Sequence, residues 1–182
     1  MRLFIAVNFS DDVKSSILKI QERLRSQTTK GSFSRPENLH LTLAFLGETQ
    51  EEKLELLFNI IKEIHSPSFD VVFNHSGCFT HSRKELWWIG ADTDNAGLPL
   101  LRAIHEQLIV RLEEEGFPVD KRPFNAHVTL GREIKHESPI VLDCPEISVG
   151  VDHISLMKSE HIKGVLTYTE LFRRQMELRT GE

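Results

Sequence analysis

The stretch ENLHLTLAFLGE, residues 37–48, decides how this chain is read, because its pattern His-x-Thr-Leu returns in RPFNAHVTLGRE, residues 122–133. On a β-strand successive side chains point to opposite faces. His40 and Thr42 therefore share one face, with Leu41 and Leu43 on the other, and the same parity pairs His127 with Thr129 against Val128 and Leu130. Each strand offers an apolar side for burial and a polar side carrying one imidazole and one hydroxyl. A string of this kind is expected roughly 0.02 times by chance in a chain of this composition, so one copy says little and two are informative. The context repeats as well. Each motif follows a proline-containing turn, at Pro36 and Pro123, and glycine is expected to close each strand at Gly47 and Gly131.

Working outward, RLFIAVNF (2–9) reads as a buried strand that runs into a helix cap at Ser10-Asp11. Val13, Ile17, Ile20 and Leu24 form one apolar stripe of a first helix, Leu54, Leu57, Phe58 and Ile61 that of a second, and Leu101, Ile104, Leu108 and Leu112 that of a third ended by Gly116. Strands are expected at 40–47, 68–79, 85–92, 125–133, 146–159 and 165–174, with 136–147 as a connecting loop. Consecutive strands without intervening helices predict antiparallel sheets with helices to one side, an α+β architecture. No linker divides the 182 residues, which suit one domain built of two closely packed lobes.

The net charge of −5 supplies no basic field for a long nucleic acid, so a polyanion has to be held locally or by its end. Cys78 and Cys144 lack the spacing of a zinc site, and none of the other histidines falls in a metal-binding pattern, so no cofactor or metal is expected. A short apolar start broken by Asn8 and Ser10, and no run long enough to span a bilayer, lead to the expectation of a cytoplasmic protein with no membrane association.

Two histidines and two threonines without a neighbouring nucleophile and acidic orienter do not make a triad. They do fit acid–base chemistry at phosphorus, where attack and departure are roughly in line and need a base on one side and an acid on the other. An imidazole serves either role near neutral pH, and threonine hydroxyls can donate to the non-bridging oxygens. Without a metal this machinery favours a strained ester, such as a 2′,3′-cyclic phosphate at a ribose end. Trp87 and Trp88, adjacent on a strand, point to opposite faces, with core packing favoured over a nucleobase platform. Phe4 reads as part of a buried strand. Arg35, Lys121 and Arg122 precede the motif strands and either ring the cleft mouth or stand as solvated turn charges.

RLFIAV, RPENLHLTLAFLGE, the GCF…WWIG hairpin, RPFNAHVTLGR and the late SLMKSEHIKGVLTYTEL together resemble the two-histidine (2H) phosphoesterases. Within them they resemble the bacterial and archaeal RNA 2′,3′-cyclic phosphodiesterases, also called 2′-5′ RNA ligase-like proteins. The resemblance implies a bilobal fold with pseudo-twofold symmetry, the motif strands lining a central cleft. It implies His40 as the general acid on the leaving ribose 3′ oxygen, His127 as the general base on water, and Thr42, Thr129 and Arg132 as phosphate ligands. Ala126 stands where relatives commonly have proline before the second histidine. Arg132 has the wrong parity to share a face with His127 and Thr129 in a regular strand, so its role requires a bulge or strand end at Gly131. The expected partners are RNA ends or nucleotides bearing 2′,3′-cyclic phosphate, handled by a monomer, with a non-catalytic RNA-end binder or 2′-5′ ligation as the alternatives.

Overall fold

The computed structural model describes residues 1–82, 84–91 and 94–178. Ten strands and three helices follow in the order β1 (Arg2–Asn8), α1 (Asp11–Ser26), β2 (Lys30–Phe33), β3 (His40–Glu48), α2 (Leu54–Lys62), β4 (Phe69–Phe73), β5 (His75–His81), β6 (Lys84–Gly90), α3 (Leu98–Glu114), β7 (His127–Lys135), β8 (Ile147–Val151), β9 (His153–Ile162) and β10 (Val165–Gln175). One four-stranded sheet has the order β10-β9-β1-β3, a second β2-β7-β6-β5, and β4 pairs with β8 in a separate ribbon. Every one of these strand pairs is antiparallel, as the α+β reading expects.

The helices lie where the apolar stripes put them. Ser10 caps α1 by accepting from the Val13 backbone N–H, and Ile17, Ile20 and Leu24 are buried. In α3 all four stripe residues are buried, and Gly116 just beyond it takes φ +74°, the left-handed conformation that glycine adopts at little cost. No helix among the described residues is long and apolar enough to cross a membrane. The stripes join the inner faces of β1, β3 and β7 in one contiguous apolar core.

The strand boundaries differ from the expectation in three places. The segments 68–79 and 146–159 each divide, at Asn74 and at Asp152, so that β4 and β8 leave to pair with each other while β5 and β9 join different sheets. Alternation alone cannot show a change of pairing partner. At Asn74 the backbone N–H donates to the Gly90 carbonyl, which holds the chain at the point where it switches. The short polar β2, KGSF, carries no apolar alternation and was not foreseen, yet it covers the edge of β7. Third, glycine does not close the motif strands: β3 runs on to Glu48 and β7 to Lys135. Gly47 has φ +66°, whereas Gly131 lies within β7. Of the strand expected at 85–92, Asp92 lies outside the described residues.

Candidate active site

The two motif strands are built alike beyond the motif itself. In both, the histidine and threonine are part-exposed, the two intervening apolar residues are buried, and the fifth residue is buried too, so that alternation breaks after the fourth position. The strand register explains the break. Opposite β1, Thr42 pairs with Ala6 but Ala44 with Ile5, leaving Leu43 as an extra residue and putting Phe45 across from Phe4; a second slip, at Leu46, lies beyond it. Opposite β6, Thr129 pairs with Trp88 and Gly131 with Trp87, leaving Leu130 extra and putting Arg132 across from Leu86; a second slip, at Glu133, lies beyond it. Bulges at equivalent positions thus turn the residue five past each histidine back to the histidine's own face. That residue is Phe45 in one half and Arg132 in the other. The bulge Arg132 required is present, and Glu133 after it takes φ +54°, a sparsely populated region for a residue with a side chain.

Each bulge carbonyl is held by a side chain from a helix. Gln21 of α1, 4% exposed, donates from Nε2 to the Leu130 carbonyl at 2.9 Å and to the Ser34 carbonyl at 2.8 Å. His105 of α3 donates from Nδ1 to the Leu43 carbonyl at 2.8 Å and stacks on Phe124 with ring centroids 4.3 Å apart. These clamps were missed in the sequence. Their signal was a polar residue on the apolar face of a helix: Gln21 between Ile17 and Leu24, and His105 beside Leu101 and Leu108.

The imidazoles are held in one tautomer by the same device. His40 Nδ1 donates to the Asn38 carbonyl at 2.7 Å and His127 Nδ1 to the Asn125 carbonyl at 2.9 Å. A carbonyl can only accept, so Nδ1 carries the proton and Nε2 keeps its lone pair in the neutral ring. At His40 that lone pair accepts from Thr42 Oγ1 at 3.0 Å. The rings sit in aromatic settings. His40 packs against Phe4 at 4.8 Å and edge-on to Tyr168 at 5.2 Å. His127 meets Phe79 edge-on at 5.3 Å, with Trp88 at 6.1 Å.

Burial in these settings dominates the electrostatics, because it disfavours the charged ring. The His40 pKa is pushed down to about 4 by desolvation, against the raising effect of the Asn38 carbonyl and helped by the charges of Arg132 and His127. His127 is lowered for the same first reason, with Arg132 again adding repulsion. Burial raises the Tyr168 hydroxyl, while Arg132 and Arg2 pull it the other way. One guanidinium therefore acts on both histidines and on Tyr168, which brings residues of β3, β7 and β10 to one cleft.

The fold refines the secondary expectations. Trp88 is buried, but on the cleft face rather than the core side. It lies flat across Gly77, where a Cβ would sit 2.2 Å from the indole. Phe4, 3% exposed, forms the floor under His40 with Ala6, Met157 and Tyr168. Arg35, Lys121 and Arg122 do not ring the cleft as free cations: each pairs with a nearby carboxylate, Glu37, Glu113 and Asp120 respectively. Tyr168 and Phe79 were not singled out from the sequence. The former is the only tyrosine in the chain and sits on a strand, which is the signal that was available. No group of three or more His, Cys, Asp or Glu side chains that could hold a metal occurs among the described residues.

Matched His-x-Thr strands, β3 and β7, whose imidazoles both feel the charge of Arg132, define a phosphoesterase of the two-histidine class. The LigT-like phosphoesterase family model matches residues 7–88. The RNA 2′,3′-cyclic phosphodiesterase of Archaeoglobus fulgidus is 35% identical over 144 residues, covering 79% of this chain and 78% of its own. That of Thermotoga maritima is 30% identical and covers 97% and 96%. The crystal structure of Escherichia coli LigT complexed with 3′-AMP is 26% identical and superposes with a TM-score of 0.80, covering 96% of this chain and 97% of that one. The chain belongs to the LigT-like phosphoesterase family.

Proposed function

We propose that this protein, acting as a monomer, hydrolyses the 2′,3′-cyclic phosphate at an RNA or nucleotide end to a 2′-phosphomonoester, by paired-histidine general acid–base catalysis that needs no metal. The observation that carries the reading is the shared tautomer: both imidazoles are tied back through Nδ1, so both present Nε2 to the cleft. His127 takes a proton from water as it attacks phosphorus, and His40 gives a proton to the departing ribose 3′ oxygen. The acid and base assignment follows the family resemblance.

In the free protein both rings are biased toward neutrality. His40 acquires its proton as the anionic phosphoryl group enters, since an adjacent negative charge favours the imidazolium. Thr42, which donates to His40 Nε2 in the free site, turns its hydroxyl to a phosphoryl oxygen once that nitrogen is protonated. Thr129 serves the other half. Arg132, repelling both imidazolium forms in the free site, is neutralised by the same phosphoryl oxygens that it binds.

Supporting the reading are the relatives named RNA 2′,3′-cyclic phosphodiesterase and the LigT structure solved with 3′-AMP. The test is to incubate an oligoribonucleotide bearing a 2′,3′-cyclic phosphate with the protein in EDTA and identify the product. Full activity with a 2′-phosphate product is expected; loss of activity in EDTA, or a 3′-phosphate, refutes the mechanism.

A further inference from the structure

A groove of about 560 Å³ opens beside His127, between the start of α3 and the strand that carries the second motif. That volume is in the range of small-molecule sites. Its walls include Arg102, His75, Trp88, Phe124 and Asn125. The groove adjoins the second motif: Asn125 supplies the carbonyl that orients His127, and Trp88 lies next to the His127 ring. Yet none of the side chains used for the phosphoryl step, His40, Thr42, Thr129 or Arg132, lines it.

Its chemistry departs from that of the surface around it. The chain carries 27 acidic against 22 basic residues, but no carboxylate is among the described residues that line this groove. Arg102 is exposed there and has no carboxylate partner among the described residues, unlike Arg35, Arg111, Arg122 and Arg173, which are all paired. Phe124 and the exposed His75 supply ring surfaces. The indole Nε1 of Trp88 is buried without a hydrogen-bond partner. A guanidinium, ring faces and amide groups in one trough next to a phosphoryl site suit a ribonucleotide chain, whose phosphate takes the cation and whose bases stack.

We propose that the groove is the track for the RNA chain leading away from the cyclic phosphate end, with Arg102 holding a backbone phosphate of that chain. This rests on the hydrolytic reading for its place beside the reaction, but not for the binding it describes. It makes Arg102 a determinant of substrate length rather than a catalytic residue. The protein then acts on polymer ends in preference to free cyclic nucleotides, despite its negative net charge.

The test compares adenosine 2′,3′-cyclic phosphate with a short oligoribonucleotide ending in the same nucleoside cyclic phosphate, for the native chain and for Arg102→Gln and Arg102→Glu. Arg102 is exposed, so neither substitution disturbs the core. The native chain is expected to favour the oligonucleotide in kcat/KM. Arg102→Gln should cut that advantage roughly tenfold, as for one charge-assisted contact, and leave the mononucleotide unchanged, with Arg102→Glu going further. The salt dependence of the oligonucleotide reaction should weaken by about 0.7 in log–log slope, the share of one single-strand phosphate. Equal effects on both substrates, or none on the oligonucleotide, overturn the proposal. Equilibrium binding of a labelled oligoribonucleotide without a cyclic end gives a readout free of catalysis. Weaker binding by Arg102→Gln upholds the track even if no hydrolysis is seen, and unchanged binding overturns it even if hydrolysis is normal.

Discussion

Protonation of His40 is the most informative perturbation, because the structure assigns it a size. The ring is held at a pKa of about 4 against an ordinary 6.5, first by burial and then by the charges of Arg132 and His127. At 1.36 kcal/mol per unit, that difference corresponds to about 3 kcal/mol, and at pH 7 only about one free molecule in a thousand carries the His40 proton. The sign for stability follows from proton counts. Between pH 6.5 and 4 the unfolded chain has its histidine protonated while the folded one does not, so the unfolded state binds more protons and stability rises with pH. Lowering the pH from 6.5 to 4 should therefore remove up to about 3 kcal/mol through this one group. Denaturant unfolding across that range, native chain against His40→Asn, checks it: the variant, which has nothing to titrate there, should lose correspondingly less. The activity profile gives a second measure. The bell in kcat/KM reports free-enzyme ionisations, and both histidines are lowered, so its centre should fall below pH 6.5. The kcat profile should lie higher, because the bound phosphoryl anion favours the imidazolium. A kcat/KM bell centred at or above pH 7, or identical pH dependence of stability in His40→Asn, would refute the reasoning.

His40→Ala and His127→Ala should each lower kcat/KM at least a hundredfold, the usual scale of acid–base catalysis, measured on a cyclic nucleotide; a large effect from only one of them would break the paired reading. Arg132→Met removes the charge shared by both rings, so KM should rise at least about tenfold while the kcat/KM bell moves toward higher pH. Gln21→Leu strips the amide from the Leu130 and Ser34 carbonyls, although the Ser34 backbone N–H still reaches the former at 2.9 Å. It should cost about 1–3 kcal/mol in denaturant unfolding, and KM should rise more than kcat falls, because the bulge that turns Arg132 inward loosens. An unchanged KM with lowered stability would reduce Gln21 to a core residue.

Local pattern was enough for much of this protein. The three helices follow from stripes of apolar residues at helical spacing, since a helix buries whatever face is apolar whichever element it meets. The direction of His40, Thr42, His127 and Thr129 follows from strand parity, which is a property of the backbone alone. The doubled motif, read as chemistry, already demanded two opposed half-sites around one phosphorus. Pairing and register were a different matter. That 68–79 and 146–159 each divide between sheets depends on which strands lie alongside, and so does the protection of the β7 edge by the polar β2.

The bulges at Leu43 and Leu130 are likewise invisible to alternation, being slips between two strands rather than features of one. Only the fold supplies Gln21 and His105 to hold them. Arg132 shows the division best. Its type and its distance from His127 could be read directly, while its parity pointed it away from the site. The bulge turned it back, because pairing with β6 leaves Leu130 of β7 without a partner and so reverses the parity of the residues between it and the second slip at Glu133.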